Sequence, residues 1–439
     1  MTIIRTMRNF SSMNIAASVL LFLAAISAAI IANSSVAPVY QAFLSHELHL
    51  QIGGFNLLSH GGENLRMIEF INDGLMTVFF LLVGLEIKRE LLVGELSSFR
   101  KAVLPFIAAC GGMLAPVVIY ALFCPPGNLG GQGLAIPMAT DIAFSLGVLS
   151  LLGNRVPLSL KIFLTAFAVV DDIGGILVIA IFYSSHVAYS YLLIAALLYV
   201  LLYFIGRRGS TNKVFFLVIG VVIWYLFLQS GIHSTISGVI LAFVIPAKPR
   251  LNVGKYIERI RQTIAEFPTM DSGSIVLTNE QIAKLKEVES ASDRVISPLQ
   301  SLEDNLHGAV NYLILPLFAF VNAGVVFSGG GELVGNVSIA VAIGLLLGKF
   351  IGIYSFTWLA IRFKVTPRPQ GMTWANLAGV ALLGGIGFTV SLFIANLSFG
   401  TDYPVLLNQA KFGVLSGSIL SGLLGYVVLR AVLAREHRT

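Results

Sequence analysis

Residues 168–175 read Ala-Val-Val-Asp-Asp-Ile-Gly-Gly, in the middle of an apolar segment that extends from residue 158 to residue 183. Apart from Lys161 near its start, Asp171 and Asp172 are the only charged residues of that segment. The segment is long enough to span a bilayer. An ionisable side chain at the bilayer centre costs at least about 2.5–3.5 kcal/mol on insertion scales, so one found there is a candidate functional residue. The stretch therefore predicts a site inside a membrane-spanning helix.

The rest of the chain has the same apolar character. Hydrophobic residues make up 56% of the 439 residues and charged residues only 11%. A soluble domain carries about 25% charged residues, so lipid must cover most of the outer face of this chain. The net charge of +6 comes from basic residues between apolar segments, and we expect no nucleic-acid binding. The two cysteines, Cys110 and Cys124, form no metal-binding pattern, and we expect no cofactor.

The spacing of the apolar segments predicts an all-α polytopic membrane protein of about twelve transmembrane helices, several of them broken by Gly or Pro. The first apolar run follows Arg5 and Arg8 and is longer than the core of a signal peptide, so we interpret it as an uncleaved helix. The predicted spans centre on residues 13–35, 67–87, 103–124, 130–151, 158–183, 190–206, 213–228, 231–246, 305–326, 337–361, 375–398 and 406–431.

Lysine and arginine residues alternate between the two sets of loops in the way that the positive-inside rule requires. With both termini in the cytoplasm, almost every basic loop residue falls on the cytoplasmic side, and Arg66 is the exception. This bias predicts a multi-pass membrane protein with both termini in the cytoplasm. Residues 1–250 would hold helices 1–8, residues 251–300 a polar cytoplasmic insertion, and residues 301–439 helices 9–12.

Two connections between spans have structure of their own. Near residues 45–58, apolar and polar residues alternate around Gly53-Gly54, which predicts a small periplasmic β-hairpin. Its apolar face would be covered either by a second copy of the chain, forming a homodimer, or by the helices below it. In the insertion, Thr278 and Gln281 have the spacing of a capping box that opens a short helix.

Two further charges lie at the middle of predicted spans. Asp141 is the only charged residue of segment 130–151, and Lys349 is the only one of segment 337–361 between its ends. A static buried ion pair of Asp171 with Lys349, holding two helices together, could explain part of this pattern. However, one lysine cannot neutralise both Asp171 and Asp172, and adjacent carboxylates in a low dielectric cannot both stay ionised. The remaining carboxylate must take a proton or bind a cation, which is the minimum machinery for cation/proton exchange.

Two of the spans carry helix-breaking residues at their middle. Gly133-Leu-Ala-Ile-Pro137 precedes Thr140 and Asp141, and Gly384-Gly-Ile-Gly-Phe-Thr389 interrupts a late apolar segment. Paired interruptions in two halves of a chain indicate an inverted-repeat transporter whose site lies at the breaks. There the side chains of Asp141 and Lys349 would compensate the ends of the helix dipoles.

These motifs resemble the NhaA-type sodium/proton antiporters of bacterial inner membranes, over essentially the whole chain outside the insertion. The resemblance rests on the aspartate pair and on five further stretches, which are Phe80-Leu-Leu-Val-Gly-Leu-Glu-Ile-Lys-Arg-Glu90, Ala139-Thr-Asp-Ile-Ala-Phe144, Leu315-Pro-Leu-Phe-Ala-Phe320, Gly348-Lys-Phe-Ile-Gly352 and Gly385-Ile-Gly-Phe-Thr389. It implies inverted-topology repeats, with two discontinuous helices that cross at the midplane.

The resemblance also implies the transport cycle. Asp172 would be the main residue that binds the cation and releases the proton, and Asp171 would exchange a salt bridge with Lys349. Asp171 and Asp172 together would hold Na⁺ transiently, while Thr140 and Asp141 would line the crossing of the broken helices. Na⁺ or Li⁺ would leave in exchange for a larger number of protons, in an electrogenic process that supports sodium and pH homeostasis.

The resemblance places a pH response at a cytoplasmic funnel. Its candidate residues there are Glu86, Arg89, Glu90, Glu303 and His307, and His233 matches a family position that is tied to the pH profile. The chain departs from the family pattern at Gln300 and Ser301, where basic residues are expected, and at Asp304, where a histidine is expected. This departure bears on the pH range and not on transport itself. His233 could equally be a packing residue that bonds its Ser and Thr neighbours.

Other functions compete with exchange. An ion-coupled symporter of similar architecture is the nearest alternative, but it would need a polar pocket for an organic substrate. An intramembrane aspartyl protease would need YD and GxGD motifs, and neither acid here has that context. A passive cation channel is a third alternative. Adjacent titratable acids beside a lysine favour proton-dependent binding over all three.

Overall fold

A computed structural model describes residues 2–52, 55–56, 58–60, 63–183, 187–209, 212–248, 253–267, 276–327, 333–400 and 402–436. The described chain is mostly helical. Seven of its helical segments are long and apolar enough to cross a membrane, and the number rises to ten if each of three bent helix pairs counts as one span. The prediction of a polytopic helical membrane protein is therefore confirmed.

The N-terminal part contains two helices and two small strand pairs. Helix α1 covers Thr2–Ala32 and α2 covers Ala37–Leu44, and a bend of 115° separates them. Antiparallel pairing joins β1 to β2 and β3 to β4, which cover Gln51–Ile52, Phe55–Asn56, Ser59–His60 and Glu63–Asn64. The register places Gln51 opposite Asn56. Gly53 and Gly54, where the turn was predicted, lie outside the described residues.

The remaining α-helices follow in chain order. Their bounds are α3 Met67–Glu69, α4 Met76–Leu92, α5 Phe99–Phe123, α6 Ile142–Ser150, α7 Leu158–Phe182, α8 Tyr189–Arg207, α9 Lys213–Ser230, α10 Thr235–Val244, α11 Val253–Ala265, α12 Asn279–Val295, α13 Pro298–Ala309, α14 Leu315–Asn322, α15 Asn336–Ile343, α16 Lys349–Arg362, α17 Trp374–Leu383, α18 Phe388–Phe399 and α19 Pro404–Glu436. Short 3₁₀ turns cover Glu95–Ser97, Leu129–Gly133, Ile136–Met138 and Gly153–Arg155.

Three π-helical segments interrupt these helices, at Phe70–Leu75, Val310–Ile314 and Gly344–Gly348. Each joins two α-helical pieces into one continuous helix. Such π-bulges are rare and occur often at functional sites. The third one ends directly before Lys349, so it sets the position of that lysine on α16.

Two of the predicted spans differ from the helices found. Segment 231–246 contains α10, which has only ten residues and is too short to cross a bilayer alone. Segment 305–326 belongs to a helix that already begins at Pro298, inside the region taken as the insertion, and its first turns are polar. This helix begins early because the Ser297 side chain accepts a hydrogen bond from the amide of Gln300 and caps it.

A close glycine contact brings α5 and α16 together. A Cβ added to Gly111 would overlap the carbonyl oxygen of Gly352, and a Cβ added to Gly352 would overlap that of Gly111. Small residues at a helix interface allow this close approach of two backbones. Because α5 also packs against α7, the contact holds Lys349, one turn before Gly352, at the level of the aspartates.

The polar insertion forms a pair of packed helices, α11 and α12. Arg259 Nη2 lies 3.2 Å from Glu287 Oε1, and Lys284 Nζ lies 2.5 Å from Glu266 Oε2. The capping box at the start of α12 is confirmed, because the Thr278 amide donates to the Gln281 side chain and the Gln281 amide donates to the Thr278 hydroxyl. These contacts are internal to the insertion.

We expect a variant without residues 255–290 to keep its transport activity, because the contacts that stabilise α11 and α12 are made between those two helices. The measurement is sodium-dependent proton movement in vesicles, normalised to the amount of membrane-inserted protein. Loss of activity in a correctly inserted deletion variant would show that the insertion takes part in transport.

Candidate functional site

A buried ion pair joins α7 to α16. Lys349 Nζ lies 2.6 Å from Asp171 Oδ2, and neither side chain is exposed. The Lys349 ammonium also lies 5.6 Å from the centre of the Phe167 ring, a distance compatible with a cation–π contact. Asp171 Oδ1 is buried and accepts no hydrogen bond from the described residues. Asp171 and Lys349 are the two residues that the sequence analysis named for an ion pair, and the structure places their side chains in contact.

Asp172 lies next to this pair but faces a different environment. It is 7% exposed, and among the described residues it has no hydrogen-bond or ion-pair partner. Its side chain lines a cavity of about 190 Å³. The same cavity is lined by Thr140, Asp141 and Thr389. Of the two adjacent carboxylates, one is therefore neutralised by a lysine and the other is free to meet a small ligand.

The two helix breaks lie against each other beside the cavity. The chain bends by 44° between Leu129–Met138 and α6, and by 44° between α17 and α18. Polar groups at the first break donate hydrogen bonds to backbone carbonyl groups at the second break. The Asp141 amide donates to the Ile386 carbonyl at 2.6 Å, and the Thr140 hydroxyl donates to the Gly384 carbonyl at 2.7 Å.

The Asp141 carboxylate connects the two breaks directly. Its Oδ1 accepts a hydrogen bond from the Phe144 amide at 2.9 Å and so caps α6. Its Oδ2 accepts from the Thr389 hydroxyl at 2.7 Å and from the Thr389 amide at 3.2 Å. An acid here satisfies the N-terminal amides of two half-helices, where the helix dipole is positive. The predicted compensation of helix ends by Asp141 agrees with these contacts.

Thr389 is a functional residue that the sequence reasoning did not single out. It appeared only as the last residue of a glycine-rich motif. The available signal was the combination of a hydroxyl side chain with a break at residues 384–387, because Ser and Thr are preferred next to the free amides at the start of a helix.

A second cluster of charges lies where the same cavity begins. Glu86, Arg89 and Glu90, on the last turns of α4, line it together with His307. Arg89 Nη1 lies 2.6 Å from Glu303 Oε1, and His307 Nε2 lies 3.2 Å from Glu86 Oε1. We call Glu86, Arg89, Glu90, Glu303 and His307 the mouth cluster. Five of the six candidates for the pH response thus lie together.

Glu303 titrates at an unusual pH. Burial raises the pKa of its carboxyl to about 6, although Arg89 beside it acts in the opposite direction. A carboxyl whose pKa is higher in the folded state takes up protons on folding. The free energy of unfolding should then decrease as the pH rises from the ordinary pKa to about 6, by on the order of 1 kcal/mol.

We therefore expect the melting temperature of the purified protein to fall between about pH 4.5 and pH 6, relative to that of Glu303→Gln. The comparison uses thermal melts of both proteins across this range, with EDTA in the buffer. The Gln variant keeps the side-chain size but does not titrate. Parallel pH profiles for the two proteins would contradict the assignment of this titration to Glu303.

His233, the sixth candidate, lies elsewhere. It borders a separate cavity of about 770 Å³, near the opposite end of the α4 helix. His233 Nε2 lies 3.4 Å from Asp73 Oδ1, and its Nδ1 lies 2.9 Å from the Thr235 hydroxyl oxygen. The structure therefore does not bring His233 to the mouth cluster. Asp73, its partner, was not identified from the sequence.

Three asparagines form another group that the sequence reasoning missed. Asn322 Nδ2 donates to Asn72 Oδ1 at 2.8 Å, and Asn396 Nδ2 donates to Asn322 Oδ1 at 2.9 Å. These bonds link the helix of Asn72 to α14 and α18. Amide side chains give no charge signal in a sequence, so only their position within apolar segments could have marked them.

Comparisons with known proteins identify the family of the chain. A family model described as Na⁺/H⁺ antiporter 1 matches residues 8–429. A Na(+)/H(+) antiporter NhaA of Bacteroides thetaiotaomicron is 88% identical over 438 residues, which cover 100% of both chains. A relative of the same name from Phocaeicola vulgatus is 61% identical over 92% of this chain and 91% of its own. One from Helicobacter pylori is 43% identical over 97% and 95%.

The matches are continuous along the chain and include every motif on which the resemblance rested. The matched range also contains the aspartate pair, Lys349, both helix breaks and the mouth cluster. The chain belongs to the NhaA-type Na⁺/H⁺ antiporter family.

Proposed function

We propose that this protein is a secondary transporter that exchanges Na⁺ or Li⁺ for H⁺ through Asp172 and Asp171. The observation that carries the proposal is the different surroundings of the two acids. Asp171 is paired with Lys349, whereas Asp172 has no partner among the described residues and borders a cavity. Carboxylate oxygens are suitable ligands for a small hard cation. The names of the relatives, which are Na⁺/H⁺ antiporters, favour exchange over the symporter alternative.

Exchange follows from electrostatics. In a low dielectric, two adjacent carboxylates and one ammonium leave one uncompensated negative charge. Either a proton or a sodium ion can neutralise that charge, and once one of them is bound the electrostatic attraction for the other is lost. Binding of Na⁺ therefore releases a proton, and protonation releases Na⁺. When Lys349 leaves Asp171, the second acid can take up a proton as well, which would make the exchange electrogenic.

Movement between the two sides of the membrane would use the broken helices. We infer about twelve transmembrane helices with inverted-topology repeats, with the two breaks crossing near the midplane. The contacts of Asp141 with both breaks support this arrangement, because they couple the ends of the half-helices to the level of the aspartates. Alternating access would then be a rocking of this unit around a fixed site.

The sequence and the strand pairs also support a location and an assembly for the protein. The distribution of basic residues supports a multi-pass protein of the bacterial inner membrane with both termini in the cytoplasm. The mouth cluster would then lie at the cytoplasmic opening and carry the pH response. The strands between residues 51 and 64 are a candidate contact of a homodimer, with a lid on the same chain as the alternative.

Everted membrane vesicles provide the test. Respiration acidifies their lumen, and a fluorescent pH dye reports that acidification. Added NaCl should raise the lumenal pH in vesicles that contain the protein, while choline chloride at the same concentration should not. A symporter would acidify the lumen further or respond only with an organic solute. Absence of a sodium-specific response in vesicles with inserted protein would refute the proposal.

A further inference from the structure

The mouth cluster contains the geometry of a metal site. Glu86, Glu303 and His307 each present a carboxylate oxygen or an imidazole nitrogen, and these three atoms all lie within 4.8 Å of one another. Glu303 and His307 are four residues apart on α13, so their side chains lie on the same face of that helix, and Glu86 reaches them from α4. Two rigid helices therefore supply the three groups.

The distances are close to those that a metal ion requires. When each ligand atom lies about 2.1 Å from a tetrahedral metal ion, the ligand atoms lie about 3.4 Å from one another. His307 Nε2 and Glu86 Oε1 are already 3.2 Å apart. The Glu303 carboxylate oxygen lies within 4.8 Å of both of these atoms.

One of the three ligand atoms, Glu303 Oε1, is buried and receives no hydrogen bond within the described part of the chain. Glu303 is 1% exposed, and its Oε1 accepts no hydrogen bond from the described residues, although Arg89 Nη1 lies 2.6 Å away at an unsuitable angle. A buried carboxylate oxygen with a poorly oriented donor gains from a better ligand. Arg89 can release the Glu303 carboxylate and still keep an ion-pair partner, because its Nη2 already lies 3.5 Å from the Glu90 carboxylate.

The surroundings of the imidazole also suit a metal ligand. His307 Nδ1 lies 3.2 Å from the side-chain amide of Asn311, one turn further along the helix. With its amide reversed, Asn311 would accept a hydrogen bond from Nδ1–H and leave the lone pair of Nε2 free. A histidine that binds a metal usually donates its other N–H to such an acceptor, which fixes the ring and the tautomer.

We propose that Glu86, Glu303 and His307 bind a divalent first-row transition-metal ion, with Zn²⁺ as the best fit. One imidazole and two carboxylates suit such an ion better than Mg²⁺ or Ca²⁺, which prefer oxygen ligands alone. The ion would lie where the cavity that contains Asp172 begins. It would therefore close the path to the aspartates and inhibit exchange from that side.

The binding test uses the purified full-length protein. Titration calorimetry with ZnCl₂ should show one ion bound per chain, and an excess of Mg²⁺ should not displace it. His307→Gln and Glu303→Gln should each lose more than about tenfold in affinity. His49→Gln is the matched control, because His49 is exposed and lies 3.9 Å from Glu47, and it should bind Zn²⁺ like the unaltered chain.

Thermal melts show whether each variant is folded, and Glu86→Gln replaces any variant that is not. Unchanged affinity in the folded site variants, or an equal loss in His49→Gln, would overturn the proposal. This binding test does not depend on transport, so it stands or fails separately from the proposed exchange.

The transport test rests on the proposed function. Zn²⁺ added to everted vesicles, whose outer surface is the cytoplasmic face, should inhibit sodium-dependent alkalinisation, and a chelator should restore it. Zn²⁺ that binds at the site but leaves the exchange rate unchanged would refute the closure of the cavity. A chain that shows no exchange before Zn²⁺ is added would instead refute the proposed function.

Discussion

Asp172→Asn should abolish sodium-dependent proton movement while leaving the amount of folded protein unchanged. The amide is neutral and similar in size, so the packing around a side chain that makes no hydrogen bond to the described residues is preserved. However, it can neither release a proton nor supply an anionic oxygen to Na⁺. The ion pair of Asp171 with Lys349 remains, and the site then carries no uncompensated charge. We expect the sodium response of the pH dye in everted vesicles to disappear.

A matched control shows whether the loss of exchange is specific to Asp172 or follows from any Asp→Asn substitution. Asp402 is exposed in the connection between α18 and α19, so Asp402→Asn makes the same chemical change away from the site. It should exchange Na⁺ for H⁺ at the rate of the unaltered chain. Sodium-dependent proton movement that persists in Asp172→Asn would show that another group carries the proton.

Lys349→Met should give the largest loss of stability among single substitutions at the site. Methionine fills the space of the lysine side chain but leaves the Asp171 carboxylate buried without a cation. Removal of one partner of a buried ion pair costs about 3–5 kcal/mol. We expect a clear decrease in the melting temperature of the purified protein, together with loss of exchange.

A double substitution tests whether the stranded Asp171 carboxylate causes the loss of stability in Lys349→Met. In Asp171→Asn combined with Lys349→Met, the stranded charge of Asp171 is removed and Asp172 is left as it was, so the melting temperature should recover most of the loss. If the double variant melts as low as Lys349→Met alone, then the cost arises from packing around the methionine and not from the stranded carboxylate.

The membrane-spanning character and the family could both be predicted from the sequence, and both are confirmed. Apolar segments interrupted by a few charges leave little choice of fold class, because only helices satisfy the backbone in lipid over such lengths. The count of about twelve spans stays a prediction, because the described residues contain seven to ten candidate spans. Helix α10 is short because the chain before it turns at Gly231, which has a positive φ angle of 81°. The π-helical segments leave no pattern in the sequence, since one extra residue in a turn does not disturb an apolar run.

Some residues of the candidate site could also be predicted from the sequence, and others could not. Charges in apolar segments were easily recognised, so Asp141, Asp171, Asp172 and Lys349 were singled out. The pairing of Lys349 with Asp171 had also been named, but its distance and its complete burial depend on how α7 and α16 pack and could not be read from the sequence. Neutral partners such as Thr389 and Asn322 carry no charge that marks them within an apolar segment, so they were not singled out. The resemblance tied His233 to the pH response without giving its position, and the structure places it beside Asp73, away from the mouth cluster.

Proton release on sodium binding tests the central claim most directly. Purified protein in a weakly buffered detergent solution containing a pH indicator would receive NaCl at a pH at which Asp172 is protonated. We predict a sodium-specific acidification of the solution that saturates with concentration and is absent in Asp172→Asn. Saturable binding of Na⁺ to the unaltered chain without any release of protons would contradict the account.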